Sequence, residues 1–83
     1  MPFQINYKRS VLKDLKKIDK VSAERIIHDL ESKLTGNPEI GEALTGQFKG
    51  LYKLRVGDWR VVYSIHHESI LVLRIGHRHS VYK

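Results

Sequence analysis

The sequence predicts an α+β domain: a strand, two helices, then a three-stranded antiparallel meander, with the helix pair packed on one sheet face. Three observations carry that prediction. Apolar residues recur with helical spacing from Val11 to Leu34 and alternate with polar ones after residue 48. Gly57-Asp58 separates two β-rich runs by two residues, a hairpin signal. The chain has 83 residues, 41% of them hydrophobic. That suits one domain over residues 1–83, burying roughly 60% of its unfolded surface.

The elements follow in order. Phe3, Ile5 and Tyr7 alternate with polar neighbours, which makes a half-buried strand. Val11, Leu12, Leu15 and Ile18 then share one helix face, with Asn6 or Ser10 as the cap. After a break at Asp19-Lys20, Ser22 is the expected N-cap of a second helix. Ala23, Ile26, Ile27, Leu30 and Leu34 form its stripe, and Gly36 with Asn37-Pro38 stops it. Residues 37–47 read as a loop with one short helical turn over 40–44. Strands are expected over 48–56, 59–66 and 70–75, all rich in Val, Ile, Leu and aromatics.

Alternation along a strand assigns the faces. A two-residue loop at Gly57-Asp58 pairs Val56 with Trp59, Leu54 with Val61 and Tyr52 with Tyr63 on the core face. The opposite face pairs Arg55 with Arg60 and Lys53 with Val62. Leu71, Leu73 and Ile75 join the core face if the next loop is His67-Glu68-Ser69. Leu73 then lies beside Tyr63, Leu71 beside Ile65, Arg74 beside Val62 and Gly76 beside Arg60. A β-bulge would shift this register. Arg55 facing Arg60 sets like charges against each other across a strand pair, which is destabilising. The same face holds Lys53 and Arg74 and, as predicted, no acid. A solvated face selected for stability would mix signs. A face that concentrates cations suits a bound anion, and phosphate is the usual partner of arginine.

The bulk composition agrees. The formal net charge is +6, with 29% charged residues, so a polyanionic partner is expected. No apolar run approaches the roughly 18 residues of a membrane span, and no signal-peptide pattern is present, so a cytoplasmic location without membrane contact is the expectation. There is no cysteine, which excludes a disulfide framework and a thiolate nucleophile or metal site. No histidine pair has metal-ligand spacing on a helix and no P-loop is present, so neither a metal nor a cofactor is expected. His66-His67 and His28 read as solvated, and no carboxylate pair stands out among Asp29, Glu31, Glu39 and Glu42.

What remains is arginines, a lysine, histidines and Tyr82. That set suits RNA cleavage without a metal, in which the substrate's own 2′-OH attacks the adjacent phosphate and the protein aligns and stabilises charge. Lysine is a poor proton carrier near neutral pH, with a reference pKa of about 10.4, and crowding cations lowers it. His77 and His79 lie near enough to help, and Tyr82 is suited to stacking on an unpaired base.

The stretches "GLYKLRVGDWRVVYSI" and "LRIGHRHSVY" resemble the RelE/ParE toxin superfamily, specifically its RelE branch, and the resemblance spans nearly the whole chain. It implies a RelE-like fold and a ribosome-dependent endoribonuclease that cuts mRNA in the ribosomal A site. It also implies a cognate antitoxin that wraps the toxin, with operator DNA bound only through the antitoxin complex. Residue by residue, it implies that Arg60 stabilises the transition state, that Lys53 is the catalytic lysine, that Arg78 is the general acid and that Tyr82 stacks on the substrate base. Arg55 takes the place of a phosphate-binding helper. Arg74 joins it on the same face, and His77 and His79 match C-terminal histidines used by other members. Lys13, Lys16, Lys17 and Lys20 on the first helix become candidate contacts to ribosomal RNA. The sequence departs from the family at Leu51, where some members carry a second catalytic lysine, so the general base stays unassigned. The rival readings are a ParE-like toxin of the same fold that targets DNA gyrase, and an inactive homologue that only binds an antitoxin or nucleic acid.

Overall fold

The computed structural model describes residues 4–77. The elements are β1 (Gln4–Tyr7), α1 (Arg9–Lys16), α2 (Lys20–Leu34), β2 (Glu42–Ala43), β3 (Leu51–Val56), β4 (Trp59–His66) and β5 (Ser69–His77), with short 3-10 turns at Pro38–Ile40 and Gly46–Phe48. The sheet is larger than the predicted meander. It has five strands in the order β1-β5-β4-β3-β2, with β1 parallel to β5 and the other pairs antiparallel. The predicted first strand forms β1, but its partner β5 lies at the other end of the chain, and β2 is only two exposed residues, too short to show alternation.

Two helices cover one face. Val11 and Ile18 of the α1 region and Ile26, Leu30 and Leu34 of α2 are buried against Val56, Val61, Tyr63, Ile70, Val72 and Ile75. Burial of such side chains is the main stabilising term, about 1.5–3 kcal/mol each. Leu12 departs from its expected place in the stripe and is 52% exposed. The caps also differ. Asp19, not Ser22, caps α2: its carboxylate accepts from Ser22 N at 3.0 Å, which holds its pKa below the usual value. Helix α1 has no side-chain cap. Ser10 instead donates to Leu73 O at 2.9 Å, and Lys8 N donates to Val72 O at 3.0 Å. Both bonds stitch α1 to the edge of β5.

The first hairpin has the expected register in every pair, Arg55 with Arg60 included. Gly57 takes φ +60° in the turn, which glycine adopts at no steric cost. The second hairpin differs at one end. Its loop is the two residues between His66 and Ser69, which pair, so Ile65 faces Ile70 and Tyr63 faces Val72. A bulge between Val62 and Tyr63 then restores the expected pairs of Val62 with Arg74 and Arg60 with Gly76. The extra residue is Leu73. Its insertion lets Ile70, Val72 and Ile75 all reach the core while Arg74 turns outward. Leu71 and Leu73, expected in the core, are only half-buried. The helical turn expected over 40–44 falls instead at Pro38–Ile40, as a 3-10 turn. Glu42–Ala43 pairs with Lys53 and Tyr52, adding a flap strand to the edge of β3.

Candidate active site

The cationic face holds a cavity of about 340 Å³. Lys53 and Arg55 of β3 and Arg60 of β4 line it, and Ile40, Gly41 and Glu42 of the flap close one side. Strand pairing places the side chains: Arg55 lies opposite Arg60, and Lys53 sits one row along, opposite Val62. Arg55 is exposed, and its Nε donates to Gly57 O at 3.1 Å, which ties the side chain to its own turn. Arg60 is half-buried. Its Nε is fully shielded from solvent with no hydrogen-bond partner. A buried unpaired donor on a cation costs about 1–3 kcal/mol or more, and an anion in the cavity is the group that would relieve it.

The sequence predicts a face without acids, and the structure corrects this: two acids reach it. Glu42 Oε2 lies 3.5 Å from Lys53 Nζ. Asp14 of α1 accepts from Arg74 Nε at 3.1 Å and from Ile75 N at 3.0 Å. Both acids sit on elements distant in sequence, so strand alternation could not reveal them. The centre of the face is less bare than expected too: Val62 and Ser64 are buried on it. Ser64 Oγ shares a hydrogen bond of 2.7 Å with Nε2 of His66, whose ring is therefore engaged rather than merely solvated.

The flap is held by Tyr63, a core residue whose hydroxyl reaches through to it. Tyr63 Oη donates to Pro38 O at 2.7 Å and accepts from Gly41 N at 3.0 Å. Burial pushes its pKa up. Tyr52 stacks on its ring with centroids 5.5 Å apart. Gly41 is required by this approach: a Cβ there would collide with Tyr63 Oη and come within 2.7 Å of Lys53 O. Tyr63 and Gly41 thus set where Glu42 meets Lys53. The GD-aromatic-R-x-x-Y spacing contains Tyr63, but nothing local shows what its hydroxyl holds.

The remaining expected residues lie elsewhere. Arg74 and His77 do not line this cavity. They line a second groove of about 310 Å³ on the far edge of β5, together with Lys17, Asp14, Trp59 and Gly76. Lys13 and Lys16 are exposed on α1. Arg78, His79 and Tyr82 fall outside the described residues. Among the described residues, no group of three or more His, Asp or Glu side chains could hold a metal ion, and no helix is long and apolar enough to cross a membrane.

A small basic α+β fold with an anion-ready cavity on its open sheet face is the class these features define. The sequence profile of the ParE toxin of type II toxin-antitoxin systems, parDE, matches residues 5–82. Toxin RelG of Mycobacterium tuberculosis is 24% identical over 86 residues, covering 100% of this chain and 99% of the relative. Toxin RelE of the same organism is 27% identical over 85 residues, covering 99% and 88%. The toxin-antitoxin complex RelBE2 of M. tuberculosis contains a chain that superposes with a TM-score of 0.88 at 23% identity, covering 94% of this chain and 93% of that one. The chain belongs to the ParE toxin family of type II toxin-antitoxin systems, within the RelE/ParE superfamily, and the two relatives just described are RelG and RelE toxins.

Proposed function

We propose that this toxin is a ribosome-dependent endoribonuclease that cuts mRNA through attack of the 2′-OH on the adjacent phosphate. The observation that carries the reading is the cavity in which Lys53, Arg55 and Arg60 converge, with Arg60 Nε buried and unpaired among the described residues. A scissile phosphate would satisfy that donor. In the step, the 2′-oxygen bonds to phosphorus and the bond from phosphorus to the 5′-oxygen breaks, which leaves a cyclic phosphate and a 5′-hydroxyl. Charge grows on the non-bridging oxygens as this happens, and Arg60 with Arg55 opposes it.

The proton of the 2′-OH needs an acceptor. Glu42 is the one carboxylate lining the cavity among the described residues, and Lys53 at 3.5 Å holds it there. We assign it that role, a group that sequence reasoning missed, with Lys53 orienting it and contacting the phosphate. Arg78 as general acid, Tyr82 as base platform, and His77 and His79 as helpers follow from the resemblance. So do contacts of Lys13 and Lys16 with ribosomal RNA. The partners of the proposal are ribosome-bound mRNA and a cognate antitoxin, and the RelBE2 relative is itself a toxin-antitoxin complex. Operator DNA would be met only through that complex.

A second reading has one observation in its favour: the matched family is described by ParE toxins, and the target would then be DNA gyrase. Primer extension on mRNA from expressing cells separates the two. Cuts at ribosome-occupied codons are the expected result. Intact mRNA together with inhibited gyrase supercoiling would replace this reading with the other.

A further inference from the structure

The groove beyond β5 lies apart from the cavity just described. β1 pairs with β5 only as far as Val72. Past that point α1 runs along the strand edge, and Asp14 takes the Ile75 amide. Between the two lies a trough floored by Trp59, Ile18 and Ile75 and walled by Lys17, Arg74 and His77. Trp59 and His77 meet edge to face, with centroids 5.8 Å apart and an interplanar angle of 82°.

The one acid in the trough is already engaged. Asp14 accepts from both the Ile75 amide and Arg74 Nε, which offsets its charge and braces the arginine. Arg74 spends only Nε on this contact, so its two terminal NH2 groups remain as donors, and its side chain is 47% exposed. Gly76 pairs with Arg60 across the sheet and also lines the trough. Gly76 itself brings no side chain to the route from the Arg60 cavity around the strand edge. Cations beside an aromatic floor are the chemistry that binds single-stranded nucleic acid without base readout.

We infer that this trough is a second nucleotide subsite, in which Lys17 and Arg74 hold a phosphate and Trp59 contacts the base of an RNA strand passing over the edge at Gly76. The inference rests on the proposed function only in taking RNA as the ligand.

Trp59 is the single tryptophan of the chain; it lines the trough and a pocket beside Arg25 but not the cavity, so the Lys17 and Arg74 variants are what tie its emission to the trough. The test titrates the toxin with a short 2′-O-methyl single-stranded RNA, which binds without being cut. Anisotropy of a label on the oligonucleotide reads total binding. The expected result is saturable binding with a matching change in Trp59 emission, and binding weakened about 5- to 10-fold by Lys17→Gln or Arg74→Gln. Lys53→Ala should weaken binding yet leave the emission change at saturation. No binding, or binding with unchanged emission, overturns the subsite, as does full affinity in both trough variants. If emission responds as expected but the wild type leaves ribosome-bound mRNA intact, the subsite stands and the nuclease reading falls.

Discussion

In the proposed mechanism the chemistry turns on Arg60 and Glu42. Arg60 keeps a shielded Nε without a partner, at a cost that a bound phosphate would offset. Replacing it with alanine should slow cutting about 100- to 1,000-fold while the melting temperature holds or rises, since Arg55 loses a facing like charge. Glu42→Gln should slow cutting by about 100-fold or more with little change in RNA affinity. Single-turnover rates on programmed ribosomes, with binding measured separately, check both. The exposed Glu42 and Lys53 pair contributes at most about 1 kcal/mol to stability, so a marked loss of fold in Glu42→Gln would argue for a structural role instead. The cations of the site were legible from the chain because strand alternation fixes a face within a few residues. Glu42 and Asp14 were not: Glu42 lies in a two-residue exposed strand with no periodicity to place it, and Asp14 meets Arg74 from a helix 60 positions away.

At the scale of elements, the flap and the second hairpin carry the lesson. The two-residue turn after His66 contains no glycine, and His67 takes φ +54°, a conformation uncommon for a non-glycine residue. No local signal marked that turn, so a three-residue loop was expected. The bulge at Leu73 shifts the register by one and cancels the error before Arg74. This is why the arginine rows were legible and the Leu71 and Leu73 positions were not. The flap depends on Tyr63 and Gly41. Tyr63→Phe leaves Pro38 O and Gly41 N without their partner and should cost about 1–3 kcal/mol. Gly41→Ala should cost about 1–3 kcal/mol through overpacking. The double variant should lose less than the sum, because removing the hydroxyl makes room for the new methyl; thermal or urea melts of the four proteins measure that coupling.

The seam between β1 and α2 gives a pH prediction. Tyr7 Oη donates to Glu31 Oε2 at 3.5 Å. Burial first, and then the Glu31 charge, push the Tyr7 pKa from 10.0 up to about 12. The folded state therefore holds this proton where the unfolded chain has begun to lose it. The stability that the seam contributes is complete below pH 10.0 and is lost as pH rises toward about 12. Tyr7→Phe should show a shallower alkaline loss of stability than the wild type in melts over that range. Equal slopes would mean that other groups govern the alkaline limb.

At the scale of the whole molecule, two clusters of basic residues share the β4 and β5 end of the sheet. Lys53, Arg55 and Arg60 meet in the cavity, whereas Lys17 and Arg74 meet in the trough. The net charge of +6 draws any polyanion to the surface, so affinity alone does not distinguish a nuclease from a passive binder. The α+β class, both helices and the meander could be read from periodicity, because local spacing determines them. The mixed five-stranded sheet could not, since β1 joins it through β5 at the other end of the chain and β2 is two exposed residues without an alternating pattern. The split of one predicted patch into two sites also depends on Asp14, which draws Arg74 toward α1.

The most direct test follows the 2′-hydroxyl itself. Purified toxin is mixed with ribosomes programmed with an mRNA whose cut site has been mapped, and with the same mRNA carrying a single 2′-deoxy substitution on the nucleotide 5′ of that cut. The account predicts cleavage of the first to a cyclic phosphate and a 5′-hydroxyl, and no cleavage of the second at that position. An uncut first mRNA, or equal cutting of both, would contradict it.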